Sequence, residues 1–580
     1  MIDHFSDPVW LTYFLPLLPL CSVLAAYFTF RSGLLLVFLA IGLMVVAARL
    51  KLSDTFADNF YLVLIFAVAL SLVLSQTSIS PYVMGEDANV EYALFQQVAQ
   101  QGIWQPQVSM LYNAALTVTI LPLIISTVTS LDGIIIFKVV YPVLFSIVPL
   151  ILYRIYRKIM SPAPAFLAVF LFLVFPATYS ELTALYREMI AELIMVLLLW
   201  IQLSPAIRKL RGTVVLVMLL TLGLVMAHYS MAIIYVILMT CLYVFSRIRR
   251  SGIEGFDVSN PLIVSLVTAL GWFLLVASGI VLERLTLNVV RIVGGLSEFF
   301  VPSTRPQVVV GALGLSATRP GIIPLIGRAI QYSVTACLVL GCVFYLLKRG
   351  KSRIENVITP LIGASLGLLL VSIVFPYAGS ALNFGRTYQI ALLLLSPCFF
   401  FGLVKIVNGL QWFLRVVSRH PIRIRAVKSV AIVLLFLYFL FTSGWVWAIT
   451  RDVPTSPVLE QQRMAKYPNI AVQITYYVDL IFSEDVAAAQ WARAYGISDI
   501  CGDLISGNHV LTSYGGYTPG ARLPFCVSSP GYVYVSMSNS LLGAGLTYGA
   551  QVFWFNTTAT PKLLKENRIY SGGAVVYVNV

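Results

Sequence analysis

The sequence predicts an α-helical polytopic membrane protein of about 13 transmembrane helices, with a small extracytoplasmic α/β domain at its C-terminus. Three observations carry that prediction. The 580 residues are 59% hydrophobic and 11% charged, where a soluble domain carries roughly a quarter charged residues. Apolar runs of roughly 18 to 22 residues, the length that crosses a bilayer as a helix, recur along the chain. Beyond residue 450 these runs give way to short alternating segments separated by glycine-rich turns.

Taken in order, candidate spans fall at 9–30, 33–48, 59–76, 132–153, 163–179, 189–203, 213–228, 230–246, 261–282, 324–346, 357–375, 388–408 and 429–449. The opening MIDHFSDPVW lacks a basic n-region and runs into the first apolar stretch, which reads as an uncleaved helix. With the N-terminus inside, the cytoplasmic turns receive Arg49 and Lys51, RIYRK (154–158), Arg208 with Lys209 and Arg211, Arg247 with Arg249 and Arg250, KRGKSR (348–353), and the stretch from Arg415 to Lys428. Every strong basic cluster then lies on one side, with only single residues such as Arg31 opposed. The formal charge of +14 is therefore a topology signal and implies no nucleic-acid partner. The stretch 111–131 is apolar enough to span, but counting it would invert every later cluster. It is placed as a re-entrant or interfacial helix within the large external loop 77–131.

The transmembrane part is thus 1–449 and the external domain 450–580. In the latter, DVAAAQWARAYG reads as an amphipathic helix, and HVLTSYGG, GYVYVSM and AVVYVNV read as strands. Five of the seven cysteines lie in or near apolar runs and read as small hydrophobes. The other two, Cys501 and Cys526, form a candidate disulfide on the oxidising side. An NTT sequon stands at 556–558.

The external face collects the unusual residues. Glu86, Asp87 and Glu91 fall within six positions, yet no lysine or arginine occurs between Lys51 and Lys138. Asp87 and Glu91 share a helical face and repel. A cation, a basic side chain from elsewhere or a raised pKa must compensate. Glu181, Glu188 and Glu192 step by seven and four, one helical stripe, with Arg187 beside it. Ionised residues at the outer end of a span need a partner or a water-filled cavity. His228 lies at the outer junction of two spans, and Arg386 and Tyr388 lie where a span re-enters. A guanidinium there suits a phosphate whose lipid tail stays in the bilayer. Blander roles stand beside these: a solvated loop acid for Glu86, a helix-end hydrogen bond for His228, a headgroup anchor for Arg386.

At these motifs the sequence resembles the GT-C superfamily of membrane glycosyltransferases that use polyprenyl-phosphate-linked sugars. More narrowly, GEDANVEY, IFKVVYPVLFSIVPLILYRIYRK, REMIAELI, AHYS and LNFGRTYQIALLLLSP resemble a mainly archaeal family of large predicted membrane proteins. That resemblance runs from about residue 80 to the end of the chain. It implies sugar transfer, with inversion, from a polyprenyl-phosphate-linked donor to a lipid, glycan or protein acceptor outside the cell membrane. Asp87 is then the general base, with Glu91 and Glu86 beside it. Arg386 holds the donor phosphate, together with Tyr388 and His228. Glu188, Glu192 and Arg187 orient the acceptor or a divalent cation (Mg or Mn). No cofactor is required outright, and the chain departs from the superfamily pattern in lacking an aspartate-x-aspartate pair and in placing more than one span before the acidic loop.

The main rival is a transporter or lipid flippase, which polar residues within spans would also suit. The polar residues, however, cluster at one surface instead of the bilayer centre, and no internal repeat is evident. A non-catalytic scaffold would leave the paired carboxylates unexplained.

Overall fold

The computed structural model describes residues 58–106, 112–248, 259–312, 321–347, 353–415, 424–503, 506–517, 531–547, 551–554 and 567–579. The expected spans 9–30 and 33–48, the sequon and Cys526 lie outside the described residues.

Helices occupy each span expected between residues 59 and 449. They are α1 (Asp58–Thr77), α2 (Glu86–Gln101) and α3 (Leu116–Thr129) of the external loop, then α4 (Gly133–Tyr156), α5 (Pro162–Leu173), α6 (Tyr186–Gln202), α7 (Thr213–Ala227), α8 (Tyr229–Ile248), α9 (Ser259–Gly271), α10 (Ile280–Gly294), α11 (Ile322–Leu347), α12 (Arg353–Val374), α13 (Phe384–Arg415) and α14 (Ile424–Thr442). Among the described residues six are long and apolar enough to cross a membrane, or eight if each of two bent pairs is one span. One bent pair joins α9 to α10 at 106°, so the external segment from 283 begins as a helix. The 14 residues of α3 reach about 21 Å at 1.5 Å per residue, short of the ~30 Å hydrocarbon core.

The core gathers α1, α4, α5, α6 and α13, whose apolar side chains are buried on nearly all sides. By contrast α7, α8, α9 and α11 expose rows such as Val214, Val215 and Leu219, the surface that lipid covers. Asp58 at the start of α1 accepts from Arg157 Nε at 2.8 Å and Tyr153 at 2.6 Å near the end of α4. These two helices therefore begin and end on one side, opposite the acidic loop. Backbones approach closely where α11 crosses α13. A Cβ on Gly341 would stand 1.7 Å from the Cys398 carbonyl oxygen, and one on Gly402 would stand 1.8 Å from that of Cys337. Small residues at such crossings are how membrane helices gain packing without a hydrophobic drive.

The C-terminal residues form a second core. A four-stranded sheet has the order β1 (Ile500–Cys501), β2 (Gly531–Val535), β6 (Ala574–Asn579) and β5 (Asn567–Gly572), with β1 parallel to β2 and the other pairs antiparallel. A separate hairpin pairs β3 (Ala544–Thr547) with β4 (Gln551–Trp554). The expected amphipathic helix is α15 (Ser483–Ala494), whose Val486, Ala488, Ala489 and Ala492 cover the sheet. GYVYV and AVVYVN are strands as expected, but HVLTSYGG is not. Residues Ser506–Leu511 form a π-helical turn, because Ser513 and Tyr514 are drawn onto the external loop. Ser513 Oγ donates to the Asn89 carbonyl at 2.7 Å, and Tyr514 Oη accepts from Val83 N–H at 3.1 Å. Cys501 is disulfide-bonded.

The glycine crossing yields a test. Gly341→Val or Gly402→Val forces two backbones apart and is expected to cost ~3 kcal/mol or more. Thermal unfolding in detergent should show a clear loss of midpoint, while Gly409→Val on the same helix, with open space around it, should leave it near wild type.

Candidate functional site

The site begins with a glycine. Gly85 precedes α2 at φ 96°, a left-handed conformation that glycine adopts without strain. A Cβ there would stand 2.4 Å from the Ala184 Cβ. This contact seats the first turn of α2 against the segment leading into α6 and sets Asp87 and Glu91 facing Arg187.

Arg187 supplies the neutralising base that the loop itself lacks. Its side chain is 1% exposed. Nη2 donates to Asp87 Oδ2 at 3.0 Å, Nη1 donates to Glu91 Oε1, and the guanidinium lies 3.8 Å from the centroid of the Tyr112 ring. Glu91 is fully buried and its Oε2 accepts from Tyr186 N–H at 3.0 Å. Asp87, 20% exposed, accepts further from Tyr112 Oη at 2.9 Å and from Arg386 Nη2 at 3.4 Å. Two motifs 299 residues apart thus meet at one carboxylate. Arg386 stays 31% exposed.

The electrostatics separate the two acids. Burial works to raise the Asp87 carboxyl, but Arg187 and Arg386, with the Tyr112 hydrogen bond, hold it below the ordinary aspartate value. Burial pushes the Glu91 carboxyl up to about 7, against the pull of Arg187 and with the Asp87 charge adding to the rise. Asp87 is the ionised, partly accessible member, and Glu91 the buried one that anchors Arg187.

Beneath this pair lies a second buried polar group. Glu188 and Glu192 lie one turn apart on α6, both buried. Glu181 does not share their helix. Leu185 at φ −144°, ψ 66° breaks the chain before Tyr186, so the expected three-residue stripe holds only for Glu188 and Glu192. Glu181 instead sits over Gly385, where a Cβ would come within 2.8 Å of its carboxylate. His228 Nδ1 accepts from Met231 N–H at 3.3 Å, and its Nε2 lies 4.0 Å from Glu188 Oε2. His228 Nε2 and Glu188 Oε2 are buried without a protein hydrogen-bond partner, and Gln389 lies against the Glu192 carboxylate. Unsatisfied groups at this density mark a site that takes water or a ligand.

Other expected residues lie elsewhere. Tyr388 packs edge-on to Phe175 at 4.8 Å and stacks with Phe384 at 6.1 Å, away from the Asp87 cluster. Glu86 is the first residue of α2, and its side chain lies outside the described residues. Arg187, grouped in the sequence with the second acidic motif, bonds to the first. Among the described residues no three His, Cys, Asp or Glu side chains converge as metal ligands would. Tyr112 and His509 were not legible as site residues. His509, buried in the C-terminal domain and held at about 4 by burial, feels the Asp87 charge, and only the docking of that domain on α2 brings it there.

The Glu91–Arg187 pair makes two testable statements. At pH 8, where Glu91 is ionised, Arg187→Met leaves its buried carboxylate unpaired, at a cost of ~3–5 kcal/mol; adding Glu91→Gln should recover most of it in thermal unfolding. The native Glu91 carboxyl holds its proton to about pH 7, against 4.5 for the ordinary group. Its contribution to stability is therefore full below about pH 4.5 and is lost as pH rises through 7. Relative to Glu91→Gln, the wild-type midpoint should fall between pH 5 and 8.

Comparison with known proteins fits this architecture. The apo oligosaccharyltransferase of Archaeoglobus fulgidus superposes with TM-score 0.51 at 11% identity, over 84% of this chain and 70% of that one. AglB from Archaeoglobus fulgidus, in complex with an inhibitory peptide and a dolichol-phosphate, gives 0.49 at 12% identity over 90% and 74%. ArnT from Cupriavidus metallidurans, bound to undecaprenyl phosphate, gives 0.45 at 12% over 90% and 99%. The first of these likenesses is one of fold, and the fold is GT-C-like. No curated protein matches the sequence. The model of the family described as "Predicted membrane protein (DUF2206)" matches residues 213–573, more than half of the sequence, and the chain belongs to that family.

Proposed function

We propose that this protein is a multi-pass glycosyltransferase of the cell membrane, with a cytoplasmic N-terminus and its C-terminal domain outside. It moves a sugar from a polyprenyl-phosphate-linked donor to an acceptor on the outer side. The observation that carries the reading is the Asp87–Arg386 pair. A carboxylate able to take a proton and a guanidinium able to hold a phosphate stand together, half-accessible, at the outer ends of membrane helices. A polyprenyl donor confines its phosphate to that level.

In the proposed reaction an acceptor hydroxyl or amide attacks the anomeric carbon and passes its proton to Asp87. The anomeric C–O bond breaks, and the bonding electrons leave with the polyprenyl phosphate, neutralised by Arg386. Base and phosphate then lie on opposite faces of the sugar, which inverts the anomeric centre. At 3.4 Å the two groups are in contact, so the sugar must enter between them. The donor's phosphodiester carries one negative charge, like Asp87, and gains a second as the anomeric C–O bond breaks, so it draws Arg386 to itself as the reaction proceeds. That removes one cation from Asp87 and makes the carboxylate a better base as the bond breaks. Glu91 keeps Arg187 in place and takes no proton from the acceptor. Glu188 and Glu192 are the residues that would orient the acceptor or a divalent cation.

The test is a transfer assay in nanodiscs with radiolabelled polyprenyl-phosphate hexoses and membrane acceptors. Asp87→Asn should lower turnover by ~10²–10⁴-fold in a chain that still folds, with a lower unfolding midpoint from the lost Arg187 partner, and Arg386→Ala should chiefly raise the KM for donor. Normal turnover in Asp87→Asn would sink the assignment of the base. Donor lipid bound tightly by wild type but never transferred would favour the flippase, whose path would be the buried polar group of Glu188, Glu192 and His228.

A further inference from the structure

The bend between α9 and α10 sends a helix across the outer end of the bundle. Ser278 at φ 51° and Gly279 at φ 74° stand at the corner, and the chain turns there by 106°. Both ends of α10 lie at the level of the acidic loop. Just before the bend, Trp272 Nε1 donates to the Ala114 carbonyl of that loop at 3.2 Å. Beyond α10 the chain is seated on Tyr377, in the turn that leads to Arg386 and so to Asp87. Gly295 packs on the Tyr377 ring, where a Cβ would stand 2.6 Å away. Tyr377 Oη donates to Glu298, and its N–H donates to the Thr304 carbonyl at 2.9 Å. This grip holds Tyr377 at φ 59°, a conformation that side chains rarely adopt. A helix fixed at one level at both ends, and turned by 106° from the span before it, runs along the membrane surface.

Its sequence is built for that place. Val281, Leu285, Val289 and Val293 fall four residues apart on one face. Val281 is buried with Phe273 and Ala277 at the outer end of the bundle. Leu285, Val289 and Val293 are exposed, so the rest of that face meets no protein. Leu296 and Phe300 extend the row, Phe300 at 93% exposure. Arg284, Asn288 and Arg291 take the opposite side, where Leu287 is the one large apolar residue exposed. What covers the row follows from its neighbours. Leu274 and Leu275, exposed just before the bend, end the row of α9 that lipid covers, and the α10 face continues from that corner.

We propose that α10 and the turn after it lie in the outer interface of the bilayer. Leu285, Val289, Val293 and Phe300 enter the acyl chains, and the arginine side faces water. The partner is the lipid leaflet, held by apolar contact and not by headgroup charge, since segment 280–300 carries two arginines and two glutamates. Through Gly295 and Glu298, α10 ties Tyr377, and with it the turn before Arg386, to the leaflet surface. None of this depends on the transferase reading.

The experiment is carbene labelling of the full chain in phosphatidylcholine nanodiscs, with a diazirine that partitions into acyl chains and peptide mapping by mass spectrometry. Leu285, Val289, Val293 and Phe300 should be labelled as heavily as Leu270 and Leu274 of the preceding span, and Arg284 and Asn288 should stay unlabelled. Added phosphatidylglycerol should leave the pattern as it is. Val289→Asp should strip the label from Leu285 and Val293 while Leu270 and Leu274 keep theirs, which shows the bundle intact. An unlabelled α10 beside a labelled α9, or equal labelling of both sides of α10, would overturn the proposal. A row labelled in discs holding one chain but protected in discs holding two would overturn it too, by assigning the face to a second copy. The labelling reads no turnover, so its outcome is separate from that of the transfer assay.

Discussion

Arg187 between Asp87 and Glu91 is the interaction on which the outer half of this molecule depends. Two carboxylates one helical turn apart repel, and neither would stay buried without a cation. The guanidinium that joins them comes from the start of α6, so the pairing fastens the external loop to the membrane helices at a fixed register. Gly85 on Ala184 makes that approach sterically feasible. The C-terminal domain then docks on the back of the same helix through Ser513 and Tyr514. Loop, membrane helices and outer domain share one anchor.

The same arrangement divides labour between similar groups. Glu91 is dry and is bonded to Arg187 and the Tyr186 N–H. Asp87 keeps an accessible edge and is shared among Arg187, Tyr112 and Arg386. Of the two arginines, Arg187 is enclosed and immobilised, whereas Arg386 keeps only a long contact with Asp87 and about a third of its surface free. A structural cation and an exchangeable one are therefore told apart by burial and contact length, not by residue type. Deeper in the membrane the pattern changes. There Glu188 and His228 bury polar atoms without protein partners, in a region where each such atom is costly.

Much of this was legible in the sequence. Apolar runs of bilayer length and one-sided basic clusters predict the helices, the change of composition near 450 predicts the outer sheet, and α15 with strands β2 and β6 follow from periods of 3.6 and 2. The like-charged spacing of Asp87 and Glu91 demanded a partner and raised the question that Arg187 answers. Where the sequence misled, a contact between distant segments had outweighed a local pattern. HVLTSYGG alternates like a strand but turns to reach α2, and Glu181 keeps helical spacing with Glu188 across an interruption of the helix at Leu185.

By itself, then, the sequence determined which segments are apolar helices and which residue types had to be neutralised, because hydrophobic length and charge repulsion act locally along the chain. Only the tertiary structure decided that Arg187 serves the first acidic motif, that Arg386 meets Asp87 across 299 residues, and that Tyr388 packs away from them. Those are matters of which helix faces which, and helix packing is settled by close approaches such as Gly341 against Cys398 and Gly85 against Ala184, whose geometry no linear spacing encodes.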